Sequence, residues 1–272
     1  MTTEEMFESL ENERLLKEAY EKLQQNKHGK KIDITEIAIK KIPLVAYPGF
    51  STEQNLKIHE TAENVLKMSK EKNNGNEVCA VINMNSADME TAYVLGDPDS
   101  TNVRSDPDAS MILSDASSVV VNIHNHPRGT IFSIYDTLFA LYEERVELMV
   151  LLSNQGNLSW LRKNKTFDRQ KAYDILKKCI KEDAPRAMYK KDGKEILDTK
   201  KMTQTEMISV SKKFLKQSIK CGFEYRIGQN DYEKTKDDDN PVPKRRNPHK
   251  SIKNAHMANT ESDRQETGPD YG

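Results

Sequence analysis

The pair His124-Asn125-His126, followed by Pro127 and then by Ser133 and Asp136, is the part of this chain able to do chemistry. On a strand, side chains at i and i+2 leave the same face about 6–7 Å apart at Cα, so both imidazoles can converge on one ion. Asp136 supplies a carboxylate at the start of the next element. Two imidazoles and a carboxylate suit zinc, and three protein ligands leave the fourth tetrahedral position for water, the arrangement of a hydrolytic site. Ser133-x-x-Asp136 ahead of an apolar run reads equally well as a helix capping box. The two readings are compatible, because a carboxylate in a first helical turn can also bind a metal. Such a site needs a general base outside the ligand set. Glu77 is the candidate: it opens an apolar run after an Asn/Gly turn, and there it sits either at the solvent-facing lip of a sheet or in the site.

The elements that must hold these residues follow from periodicity. Ser118–His124 is a β-branched run and reads as the strand delivering the histidines, with a helix from Ile134 to Arg145 behind it. Glu77–Met84 reads as a buried strand and Thr91–Leu95 as its partner. Ser51 and Gln54 fit a capping box for a helix reaching about Lys72 that buries Ile58, Ala62, Val65 and Leu66, and Asn73-Asn74-Gly75 ends it. Residues 36–46 read as a strand pair or one bent strand, with Pro43 marking an edge. Gly96–Ser110 reads as loop, with a short helical turn over Met111–Asp115. Glu147–Ser153 and Leu158–Arg162 form a hairpin about 154–157. Residues 3–27, 167–182 and 200–220 read as amphipathic helices, the last two separated by a Lys/Asp/Gly loop.

These elements define a mixed α/β (α+β) fold, with a mixed sheet flanked by helices. The division expected is a helical extension over 1–35, a domain over 36–165, a helical region over 166–227 and a disordered tail over 228–272. The tail carries Asp237-Asp238-Asp239 and Lys244-Arg245-Arg246 but few large apolar residues, too few to offset chain entropy.

Composition limits the partners. The net charge of −1 provides no global field toward nucleic acid or anionic lipid. No apolar run approaches the roughly 18 residues of a membrane span. The acidic N-terminus has no signal-peptide core, and the dispersed Cys79, Cys179 and Cys221 read as free thiols of a reducing compartment. A cytoplasmic location is expected. His28, His59, His249 and His256 read as solvated, and Cys79 as a core residue.

The segment from about Ser51 to Lys163 resembles the JAB/MPN domain, which has a cytidine-deaminase-like core, and its JAMM metalloprotease motif. That motif is an upstream Glu, then H-x-H-P, a spacer and S-x-x-D. It is met here by Glu77, by His124-Asn125-His126-Pro127, and by Ser133-Ile134-Tyr135-Asp136. The stretch from Asn76 to Ile82 is similar to the strand that carries the family's Glu, and the H-N-H-P form is closest to the bacterial RadC-like branch. Two departures stand out. The spacer from Pro127 to Phe132 is one residue short of the usual seven, and position 125 is Asn rather than Ser or Thr. Ubiquitin recognition is therefore not carried over.

The resemblance implies zinc held by His124, His126 and Asp136, a water activated by Glu77, and Ser133 stabilising the oxyanion at a peptide or isopeptide carbonyl. The implied substrate is a protein or peptide, including a tagged protein. The alternatives are a RadC-like accessory protein of DNA metabolism or mobile elements, and a non-catalytic interaction scaffold. The sequence leaves oligomeric state open.

Overall fold

The computed structural model describes residues 31–98, 100–127, 132–191 and 193–227. The helix expected over 3–27 and the tail expected over 228–272 lie outside the described residues. Along the chain, α1 (Glu36–Lys40) and α2 (Thr52–Lys72) precede β1 (Val78–Asn83) and β2 (Thr91–Leu95). Next come α3 (Pro107–Ser114), β3 (Val120–His126), α4 (Ile134–Tyr142), β4 (Val146–Ser153) and β5 (Leu158–Lys163). The order ends with α5 (Arg169–Asp183), the hairpin β6 (Met188–Lys191) and β7 (Lys194–Leu197), α6 (Gln204–Gln217) and β8 (Phe223–Ile227).

Six strands form one mixed sheet in the order β2-β1-β3-β4-β5-β8. Only β3 and β4 run parallel; every other neighbouring pair is antiparallel. Parallel neighbours need a crossover, and α4 provides it. Because side chains alternate along a strand, the sheet builds a core on each face. Val78, Ala80, Ile82, Val121, Ile123, Leu148 and Val150 meet Ile58, Ala62, Val65 and Leu66 of α2 on one face. Cys79, Val81, Val120, Met149 and Leu151 belong to the other core, together with apolar residues of α3, α4, α5 and α6. The fold is thus a mixed α/β sheet flanked by helices. No described helix is long and apolar enough to cross a membrane.

The Ser51/Gln54 capping box forms with both of its hydrogen bonds, and the residues expected to be buried on α2 are buried. Four local expectations are corrected. Residues 36–40 are helical, not extended: Thr35 caps the turn by accepting from Ala38 N, and Ile34, Ala38, Ile39 and Ile42 are buried at helical spacing. The turn expected over 111–115 is a full helix from Pro107, because Asp106 accepts from Ala109 N and Pro107 fills the first position, where no N–H is needed. The helix after Ser133 stops at Tyr142 rather than reaching Arg145. The segment between the last two helices is the β6–β7 hairpin rather than a plain loop.

Residues 166–227 also end in a sheet strand. β8 pairs antiparallel with β5, Leu161 opposite Tyr225 and Lys163 opposite Phe223, so the sheet does not finish at 165. Gly222 makes this return possible. Its φ is +83°, and a Cβ there would collide with backbone atoms of Phe167 and Thr166. Its carbonyl accepts from Asn164 N at 2.9 Å. The left-handed conformation alone costs a non-glycine residue about 1–2 kcal/mol. Gly222→Ala is therefore expected to destabilise the fold by about 2 kcal/mol or more, read as a lower urea midpoint at unchanged slope.

Candidate metal centre

The site lies where the carboxyl end of β3 meets the first turn of α4. Alternation puts Asn122, His124 and His126 on the α4 face of the sheet and turns Asn125 to the α2 face. Antiparallel pairing sets Cys79 opposite His124, so the next pair outward brings Glu77 to the same end. Residues 128–131, between Pro127 and Phe132, lie outside the described residues.

Ser133 and Asp136 form the reciprocal capping box. Ser133 Oγ accepts from Asp136 N at 3.1 Å, and Asp136 Oδ2 accepts from Ser133 N at 2.6 Å. The same carboxylate faces both imidazoles, with Oδ1 3.3 Å from His124 Nε2 and Oδ2 3.4 Å from His126 Nε2. The cap and the cluster therefore coexist, and the six-residue spacer still brings Asp136 to the histidines.

One donor atom from each of His124, His126 and Asp136 lies within 4.8 Å of the others, a grouping that could hold a metal ion. Bonds of 2.0–2.1 Å to a tetrahedral ion put neighbouring donors about 3.3–3.4 Å apart, which matches both N···O separations. His124 Nε2 is buried and makes no hydrogen bond; Asp136 Oδ1 is near enough for ion pairing but is not aligned for one. An orphaned buried nitrogen beside a carboxylate is what a cation would satisfy, so the residues present fit a divalent ion. Its identity is not fixed by these ligands.

Glu77 is outside this donor group but electrostatically coupled to it. Its carboxyl is 6% exposed and accepts from Thr101 Oγ1 at 3.0 Å. Burial pushes it up to about 7, opposed by His124 and by the Thr101 hydrogen bond and reinforced by Asp136. Asp136 behaves in the opposite way. Burial opposes its ionisation, but His124, His126 and the Ser133 contact outweigh that and hold it well below the usual carboxylate range. Burial likewise opposes protonation of His124, yet Asp136 and then Glu77 raise it above an ordinary histidine.

Four neighbours of the site were not singled out by sequence reasoning. Thr101, 1% exposed, holds Glu77 from a loop. Phe132 packs edge-on to His124, with ring centroids 6.1 Å apart, and Tyr225 of β8 packs on Phe132 at 6.0 Å. Asn122 approaches His124 Nδ1. Only Asn122 had a sequence signal, an amide inside a β-branched strand at the spacing N-x-H-x-H. Cys79 is buried as expected; burial, and next the Glu77 charge, push its thiol above the ordinary range, which suits a core residue rather than a nucleophile.

No family model, curated protein or solved structure matches this chain. Fold and site together define a mixed α/β protein carrying a His-His-Asp group that could hold a metal ion.

Proposed function

We propose that the protein is a zinc-dependent hydrolase of JAB/MPN type that cleaves a peptide or isopeptide bond in a protein or peptide substrate. The observation that carries this reading is the division of labour among four acidic and imidazole side chains. Three converge as ligands, and the fourth, Glu77, stands beside them without joining the set. A bound Zn2+ would supply Lewis acidity and make a coordinated water acidic near neutral pH. Glu77 would take up that proton and return it to the departing amine. Ser133 accepts from Asp136 N through its oxygen, so its hydroxyl hydrogen is available to donate to an oxyanion developing at the scissile carbonyl. Phe132 forms a dry wall beside His124.

Asp136→Asn tests the ligand assignment. An amide keeps an oxygen for the cap but is a poor zinc ligand. Elemental analysis of wild type purified without added metal should give about one zinc per chain, the content of a three-ligand catalytic site. The variant should stay folded, lose most of that zinc and lose hydrolysis. A variant retaining a full equivalent of zinc rejects the site as drawn.

A further inference from the structure

Asn122 precedes His124 by two residues on β3, so both side chains leave the same face of the sheet. It is 2% exposed, and its amide has two neighbours. Nδ2 donates to Cys79 Sγ at 3.0 Å, and Oδ1 lies 3.1 Å from His124 Nδ1. Which way the amide faces decides the imidazole. With oxygen toward the ring, Nδ1 carries the hydrogen and Nε2 keeps a bare lone pair. With the amide reversed, its N–H groups would face Nδ1 and put the hydrogen on Nε2, where it blocks metal ligation.

The surroundings select the first orientation. The Cys79 thiol directs its own hydrogen toward Ala80 O at 3.8 Å, leaving sulfur as an acceptor. Only the NH2 end of the amide satisfies it. A one-way chain results: His124 Nδ1–H to Asn122, Asn122 N–H to Cys79, and Cys79 S–H to the Ala80 carbonyl. At the far side of the ring, His124 Nε2 is buried and makes no hydrogen bond.

We infer that Asn122 is a positioning residue: its amide oxygen, turned to the ring by the Cys79 contact, accepts from His124 Nδ1 and so holds Nε2 toward a divalent cation shared with Asp136. The inference rests on the ligand assignment of the proposed function. Partners of this kind on metal-binding histidines are typically worth 10–100-fold in affinity.

The test compares wild type with Asn122→Leu, which keeps the volume and removes the acceptor, and Asn122→Asp, which keeps an acceptor toward the ring. Zinc affinity is measured by chelator competition, and the His124 Nδ1–H hydrogen bond by 1H–15N spectra and hydrogen exchange of the zinc-loaded protein. The expected results are a slowly exchanging His124 Nδ1–H in zinc-loaded wild type, zinc binding weakened about 10–100-fold in Asn122→Leu, and near-wild-type affinity in Asn122→Asp. A His124 Nδ1–H that exchanges freely in zinc-loaded wild type overturns the inference. So does Asn122→Leu binding zinc as tightly as wild type, or equal losses in both variants, which would mark a packing role. If Asn122→Leu does not fold, the wild-type Nδ1–H exchange and the Asn122→Asp affinity decide. If wild type takes up no zinc, the ligand assignment fails and the inference with it; zinc bound equally by wild type and Asn122→Leu overturns the inference alone.

Discussion

Glu77→Gln is expected to lower turnover about 10²–10⁴-fold, the usual contribution of a positioned general base, while zinc content stays at the wild-type level. The amide is isosteric and can still accept from Thr101 Oγ1, so the pocket keeps its shape. What disappears is the ability to take up a proton. A variant that hydrolyses substrate at the wild-type rate removes Glu77 from the mechanism; one that also loses zinc would make it a ligand. The metal-free protein offers an independent readout. Glu77 titrates at about 7 when folded against an ordinary value of 4.5. A raised carboxylic pKa favours the folded state fully below the ordinary value, and that contribution is lost as pH climbs to the folded value. Metal-free wild type should therefore lose stability between about pH 4.5 and 7 relative to metal-free Glu77→Gln. Parallel melting temperatures of the two proteins across that interval would contradict the burial of this carboxyl.

Asn125→Leu should be the most damaging conservative-volume change outside the apolar core. Asn125 lies between the two histidines but on the opposite face of β3, fully buried. Its Oδ1 accepts from Val78 N at 2.8 Å, and its Nδ2 serves Asn154 Oδ1 at 2.7 Å and Ser69 Oγ at 3.2 Å. Asn154 in turn donates to the carbonyls of Ile32 and Gly75. Leucine would strand a backbone N–H and an amide oxygen away from water, each costing about 1–3 kcal/mol. The expected loss is about 3 kcal/mol, or roughly 6–12 °C in melting temperature for a domain of this size. Equal stability of the leucine variant and wild type would mean that water reaches these groups.

The contrast between Asn125 and its neighbours shows what sequence can and cannot carry. The grouping of His124, His126 and Asp136 was legible because strand alternation and the S-x-x-D cap are local rules, and both hold here. The two main helices and most strands were legible for the same reason: their burial follows period two or period 3.6. Residues 36–40 misled because one helical turn of Ile and Ala has the composition of a strand, and only the Thr35 cap and the burial pattern tell them apart. Thr101 and Tyr225 were out of reach. One comes from a loop with no periodicity and the other from a strand nearly a hundred residues beyond Phe132, and long-range pairing leaves no trace in local spacing. Asn122 and Asn125 sit two residues from or between the ligands, and two amides in an otherwise apolar strand were a signal that each has buried partners.

The return of β8 to the sheet has a consequence for how the protein matures. Tyr225 packs on Phe132, and Phe132 packs on His124, so the aromatic packing beside the His-His-Asp group runs on to β8. A ribosome that has released everything through β5 has made His124, His126 and Asp136 but not the strand that backs Phe132. The group is thus synthesised whole before its last aromatic neighbour arrives, and a chain cut short of Tyr225 would carry the two imidazoles and the carboxylate without the ring that supports Phe132.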